Sequence, residues 1–340
     1  MTPDFQSFLS QGESVRSLLE QLEQGKLAHA LLITGEEGVG KKTLARLVAA
    51  ALLCQGEGRR PCGKCRSCLQ MSSGSHTDMI EISSELHIAP DIDQNRKTIG
   101  VEDVREMNRI VYTHSYETEN RVVFFPEADK MTPQAQNALL KTLEEPPERV
   151  SFLLVCEVEN SLLPTVISRC RTVKLHPWSD EDMLRILREN GIPEERLAET
   201  VAVAEGSPGK GIQLAGDESF WKIRKEIIES FFRCPSRSDI LRVSNQWKDR
   251  KAESDTVLLT LEEGIEQLMR YRLGGGTESG SVLEERYSTA WVRFARGCDL
   301  SEFNRLFERL LLARKQLQSS VNFQAVVEQI LMLFMEVVSR

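Results

Sequence analysis

Ala28 to Lys41, AHALLITGEEGVGK, is the stretch that decides the fold. Ala28 to Thr34 is a short apolar run stopped by glycine, the pattern of a strand buried on both faces. Gly35-Glu36-Glu37-Gly38-Val39-Gly40-Lys41 fits the first seven positions of GxxxxGK[ST]. Gly35, Gly38 and Gly40 let backbone N–H groups curl around phosphates, and Lys41 would reach their β and γ oxygens. Lys41 to Leu53 is rich in Ala and Leu and predicts a helix. Strand, glycine loop and helix in this order open an α/β unit, which a chance glycine turn would not.

The eighth position departs from the pattern. A Ser or Thr hydroxyl there ligates Mg²⁺, but this chain has Lys42, and Thr43 comes one residue late. One residue turns a side chain by roughly 100° around a helix. A second loss lies on the strand Arg121 to Phe125. An Asp at its C-terminal end would hold the metal through water, yet Pro126 follows, and then Glu127, where the catalytic carboxylate of such an ATPase would stand. Both losses remove the same ligand set. The loop is expected to lack ATPase chemistry, with ATP a ligand only if binding survives without the metal.

Outward from the loop, Gln6 to Gly25 predicts an amphipathic helix with Val15, Leu18, Leu19 and Leu22 on one face. Asp78 to Ile82, Arg121 to Phe125, Ser151 to Val155 and Thr172 to Leu175 predict further strands. Val101 to Val111 and Pro133 to Glu144 predict helices, the second stopped by Pro146-Pro147. Alternating strands and helices predict a parallel sheet covered on both faces. After His176-Pro177 only helical patterns follow, among them Asp180 to Asn190, Pro193 to Ala204, Trp221 to Phe232, Asp255 to Leu273 and Phe303 to Ser319. The organisation expected is an α/β domain over 1–176, a small helical domain over 177–215 and an all-α C-terminal domain over 216–340. Gly274 to Ser281 reads as a flexible loop within the last.

Composition narrows the classes. The 340 residues are 41% hydrophobic and 28% charged, which fits a globular protein and not a disordered or collagenous one. No apolar stretch reaches the roughly 18 residues of a membrane helix, and no signal-peptide pattern is read, so the expected location is cytoplasmic. The formal charge of −8 favours protein partners over a chain that grips nucleic acid by itself.

Four of the eight cysteines, Cys54, Cys62, Cys65 and Cys68, fall within fifteen residues. In a reducing compartment such spacing reads as a metal site before it reads as disulfides. A Cys₄ set with no open position suits structural Zn²⁺. An iron–sulfur cluster and an unmetallated loop stay as alternatives. Arg59, Arg60, Lys64 and Arg66 around the site would offset thiolate charge. Cys156, Cys170, Cys234 and Cys298 read as small core residues.

These motifs, together with Val122 to Lys130 (VVFFPEADK), Asn137 to Pro147 (NALLKTLEEPP) and Ile167 to Cys170 (ISRC), resemble bacterial DNA polymerase III clamp-loader subunits over about residues 10–215. The resemblance implies an AAA+ fold: a P-loop domain, a lid and a collar used for oligomerisation. It also implies a zinc module inserted at 54–68. The family holds a motor, gamma/tau, and a delta-prime relative whose nucleotide site has decayed. Against the motor pattern this chain has Lys42, Pro126 and, in Gly206-Ser207-Pro208-Gly209-Lys210, Gly209 in place of an arginine. Those departures point to the delta-prime side, with Lys210 as a partial substitute for the arginine.

What the resemblance implies of function follows the same branch: a non-hydrolysing stator in a complex with gamma/tau and delta subunits that opens a sliding clamp and places it on primed DNA. Arg169 would then act in trans on a neighbour's nucleotide, where a guanidinium neutralises charge that develops on the γ-phosphate. The plain alternative for Arg169 is a surface ion pair. His76 and Asp78 read as structural, Glu144 and Glu145 as solvated carboxylates on a packing helix, and Trp178, Trp221, Trp247 and Trp291 as core or interface anchors. The rival functions are a gamma/tau-like ATPase using Lys41 and Glu127, and a zinc-dependent nucleic-acid-binding module. Acidic charge and the lack of a basic aromatic surface weigh against the last.

Overall fold

A computed structural model describes residues 5–90, 96–113, 115–233, 237–274, 280–319 and 321–339. Cys234 and positions 275–279 of the glycine-rich loop lie outside them. The chain divides into two compact units, Met1–Leu197 with Ala204–Ile212, and Ala198–Val203 with Gln213–Arg340.

The first unit is built on five parallel strands: β1 (Ala30–Thr34), β2 (Met79–Glu81), β3 (Arg121–Phe125), β4 (Val150–Cys156) and β5 (Arg171–Lys174). Their order is β2-β3-β4-β1-β5. β1 sits between β4, with Leu32 opposite Leu154, and β5, with Leu32 opposite Thr172. Central position explains why β1 is apolar throughout: all five of its residues are buried.

Period-two alternation divides those side chains between two faces. Ala30, Leu32, Val123, Phe125, Phe152 and Leu154 form one core with residues of α4 (Val101–Val111) and α5 (Pro133–Glu144). On the other face α2 (Lys41–Leu53) contacts β3, β4 and β1, and α1 (Glu13–Glu23) contacts β5. The expected two-faced parallel sheet is present. Thr132 caps α5 by accepting from Ala135 N–H at 3.2 Å, with Pro133 in the first turn, where a missing N–H costs nothing.

Differences from the sequence reading are local. Gln6 to Gly25 is not one helix: a 3₁₀ turn over Phe5–Gln11 is separated from α1 by Gly12 at φ 98°, a value the helix cannot contain. A short helix, α3 (Arg66–Ser73), starts within the cysteine cluster, and its polar sequence gave no apolar period to find. Beyond β4 come α6 (Pro164–Ile167), α7 (Asp180–Glu189), α8 (Glu194–Ala204) and α9 (Pro208–Ala215).

The second unit is helical. Its elements are α10 (Glu218–Ile227), α11 (Ile240–Trp247), α12 (Ser254–Arg272), α13 (Gly280–Tyr287), α14 (Thr289–Gly297), α15 (Leu300–Leu317) and α16 (Phe323–Val338). The helix expected over Trp221 to Phe232 begins earlier, behind the Asp217 cap, and ends in a π turn over Ile228–Phe232. That turn brings Phe231 and Phe232 into one core with Trp247, Trp291, Phe303 and Phe334. Trp247 is fully buried there, and Trp178 is buried in the first unit. Among the described residues no helix is long and apolar enough to cross a membrane.

Candidate functional site

The glycine loop leaves β1 and enters α2 as its sequence requires, and it is tied down along its whole length. Lys41 is 6% exposed, and its Nζ donates to Gly35 O at 2.8 Å and Glu36 O at 2.6 Å. Burial pushes the Lys41 ammonium below its ordinary pKa, against the raising effect of Glu157 and other anions. The next three carbonyls are held by the chain that follows β5. Ser207 Oγ donates to Glu37 O, Gly209 N–H to Gly38 O and Trp178 Nε1 to Val39 O, each at 2.9 Å. Leu44 N–H then donates to Gly40 O at 2.9 Å. Every carbonyl from Gly35 to Gly40 therefore accepts a hydrogen bond.

Gly209 now has a structural reason. A Cβ on it would lie 2.9 Å from Gly38 Cα, and a Cβ on Gly38 would lie 2.2 Å from Ser207 Oγ and 3.0 Å from Lys210 N. The two glycines back onto each other, so an arginine cannot stand at position 209 without prising the contact open. Lys210 Nζ pairs instead with Glu205 Oε2 at 2.9 Å, in an exposed contact.

The altered position 42 meets the carboxylate that follows Pro126. Lys42 Nζ lies 3.3 Å from Glu127 Oε1. Glu127 Oε2 accepts from Ser84 Oγ at 2.7 Å and from Lys130 Nζ at 3.1 Å. Burial would raise the Glu127 carboxyl, but the Ser84 and Lys130 hydrogen bonds and the Lys42 charge outweigh it and hold the pKa at about 2. Thr43, the next residue in the first turn of α2, is half-buried. This donor set does not fit Mg–ATP: an ammonium occupies the ligand position and its counter-ion is the carboxylate.

The four cysteines converge. Their Sγ atoms all lie within 4.8 Å of one another, with Cys54–Cys65 and Cys62–Cys68 each at 3.9 Å. A bonded disulfide measures about 2.05 Å, so these are four separate thiols able to hold a metal ion. Backbone N–H groups already face the sulfurs: Gly56 and Cys62 donate to Cys54 Sγ, Cys65 to Cys62 Sγ and Cys68 to Cys65 Sγ, at 3.3–3.4 Å. Against burial, which raises it, the Cys68 and Gln55 N–H groups hold the Cys65 thiol at about 6. Burial pushes Cys68 up to about 12. Backbone N–H groups thus stabilise thiolate charge at this site. Arg66 leans instead toward Glu117, 3.7 Å away.

His76 and Asp78 are structural, as their residue types suggested. His76 Nε2 bonds Ser67 Oγ at 2.7 Å, joining the cysteine module to β2. Asp78 accepts from the N–H groups of Tyr116, Glu117 and Thr118 at 2.7–2.9 Å and fixes that loop. Of the other cysteines, Cys156 is buried, while Cys170 and Cys298 are only partly so.

Arg169 follows α6. Its Nη1 donates to Thr165 O at 2.8 Å and its Nη2 to Glu144 at the end of α5. Glu144 is exposed, as expected, and it also pairs with the arginine that follows α6, a long-range contact with no local signal. The side chains remain 31% and 50% exposed respectively. The guanidinium thus sits in a surface ion pair within the chain, some distance in sequence from the loop whose metal ligands are missing.

The family described as "DNA polymerase III, delta subunit" matches residues 10–179. The chain is 32% identical to DNA polymerase III subunit delta' of Haemophilus influenzae over 63% of each chain. It is 35% identical to the Yersinia pestis subunit delta' over 68% of this chain and 67% of that one. It is 26% identical to the Bacillus subtilis subunit delta' over 95% of both. The chain thus spans a little under two thirds of the Haemophilus relative's length, and nearly all of the Bacillus one. DNA polymerase III gamma and tau/gamma subunits match over shorter shares. With half its length inside the family match and these relatives beside it, the chain belongs to the DNA polymerase III delta' family, an AAA+ lineage related to gamma/tau.

Proposed function

We propose that this chain is the ATP-silent AAA+ subunit of a bacterial clamp loader, a stator that helps place a sliding clamp on primed DNA together with gamma/tau and delta subunits. One observation carries the reading: Lys42 and Glu127 neutralise each other where a metal would sit. The tied loop carbonyls support it, because a stator gains from a loop that does not respond to nucleotide. On this reading the helices of 177–215 act as a lid held against the loop, and 216–340 supplies the collar. Arg169 acts in trans, exchanging Glu144 for a neighbour's γ-phosphate.

Zinc is the metal we assign to Cys54, Cys62, Cys65 and Cys68. Four thiolates at about 2.3 Å from one tetrahedral ion stand about 3.8 Å apart, close to the 3.9 Å pairs here. An iron–sulfur cluster places several atoms between its ligands and needs a wider cage. The gamma/tau-like alternative rests on Lys41 and Glu127, and the fixed state of both weighs against it. The test is reconstitution. Clamp loading by a complex assembled from the gamma/tau, delta and clamp proteins of the same bacterium should require this chain. Undiminished loading when it is left out overturns the assignment.

A further inference from the structure

From Gly58 to Thr77 the chain carries Arg59, Arg60, Lys64 and Arg66 and no Asp or Glu, inside a protein of net charge −8. All four cations are exposed. The sulfurs of Cys54, Cys62 and Cys65 accept from backbone N–H groups, and among the described residues Arg60 and Lys64 make no ion pair. Arg66 keeps 77% of its side chain in solvent, and its 3.7 Å approach to Glu117 is a weak, screened pair. The cysteine framework therefore carries a locally basic surface on which Arg60, Lys64 and Arg66 stand exposed.

We propose that this surface binds the phosphate backbone of duplex DNA, through Arg60, Lys64 and Arg66. A duplex offers one negative charge per about 1.7 Å of axis, and guanidinium forks match phosphate oxygens in pairs. Single strands are held mainly by stacking on aromatic side chains, and residues 54–77 contain no Phe, Tyr or Trp. Binding is consequently independent of base sequence. The acidity of the rest of the chain does not forbid it, since charges beyond about 8 Å are largely screened at physiological salt. This contact is separate from ATP silence and from Arg169, and it can fail without them.

The experiment is fluorescence anisotropy on the full chain, purified with its metal, against a mixed-sequence duplex over a salt series. Three phosphate contacts predict a log–log salt slope near −2.7, at about 0.9 per contact. The variant Arg60→Ala/Lys64→Ala/Arg66→Ala should weaken binding at least tenfold at low salt and remove most of the slope. Arg60→Lys/Arg66→Lys should keep most of the slope. Lys222→Ala/Lys225→Ala/Lys248→Ala, which removes exposed cations of the helical unit, should bind as the unmodified chain does. Metal content and circular dichroism verify that each variant is folded. Four results overturn the proposal: no duplex binding at low salt, wild-type binding by the triple variant, tighter binding of a single strand than of duplex, or capture of polyglutamate in preference to duplex.

Discussion

Lys42 Nζ lies 3.3 Å from Glu127 Oε1, so a cation from the first turn of α2 rests on the carboxylate that follows β3. In a working loop of this class the first position carries a hydroxyl that ligates a divalent metal. Here an ammonium stands there and rests on the Glu127 carboxylate.

Glu127, held by Ser84 and Lys130 and then by Lys42, makes stability depend on acid in a defined window. The folded pKa of Glu127, about 2, lies below the ordinary glutamate value near 4.3. The stabilisation is therefore complete above the unfolded value and is lost as pH falls from about 4 through about 2. Glu127→Gln should cost about 1 kcal/mol at pH 7, and the gap from wild type should close toward pH 2. Chemical denaturation at pH 7, 4 and 3 measures it; an equal gap at all three values contradicts the pairing.

Gly38 and Gly209 define a second joint. Gly38→Ala places a Cβ 2.2 Å from Ser207 Oγ at a positive φ, and should cost about 2 kcal/mol in the first unit. Ser207→Ala, which removes the bond to Glu37 O, should cost about 1 kcal/mol. The double variant should cost less than the sum, because the second change removes the atom the first one strikes. Additive losses in thermal unfolding would mean that the two segments do not touch.

The cysteine module should contain one zinc per chain by elemental analysis. Cys65→Ser should lose the ion and expose α3 and the 116–118 loop to hydrogen exchange, since Ser67 ties α3 to His76 and Arg66 approaches Glu117 of that loop. β1, β3 and β4 should stay protected, having their own core. Iron in the analysis, or global unfolding of the variant, contradicts this.

Arg169→Ala should leave the chain folded, as surface changes usually shift stability by less than about 0.5 kcal/mol. In the reconstituted complex it should lower ATP turnover, up to the 10³–10⁵-fold associated with such arginines at the one site it serves. Arg169→Lys should recover only part, because an ammonium lacks the planar fork. Wild-type turnover by an assembled complex carrying Arg169→Ala makes the Glu144 ion pair the whole of its role.

Much of the first unit was legible because its elements carry strong local signals. AHALLITG announces a buried strand and a phosphate-type loop, and Thr132-Pro133 announces the start of α5. The cysteine spacing likewise announced a metal cage. What stayed hidden depends on contacts distant in sequence. Gly209 reads as a lost arginine until Gly38 is seen 2.9 Å from where its Cβ would be. Lys42 reads as a lost hydroxyl until Glu127 is found beside it, 85 residues later. Glu144 carries no mark of Arg169, and the N–H groups that serve the sulfurs belong to no side-chain pattern. In each case the residue type was informative and the partner was not.

Calorimetric titration of the purified chain with ATP, with and without Mg²⁺, reads whether the chain runs on its own nucleotide. Lys41 satisfied by Gly35 and Glu36, and Lys42 by Glu127, predict that Mg²⁺ adds nothing to any heat of binding and that no ADP accumulates. Tight binding that requires Mg²⁺, with steady turnover abolished by Lys41→Ala, would contradict the account and make the chain a motor.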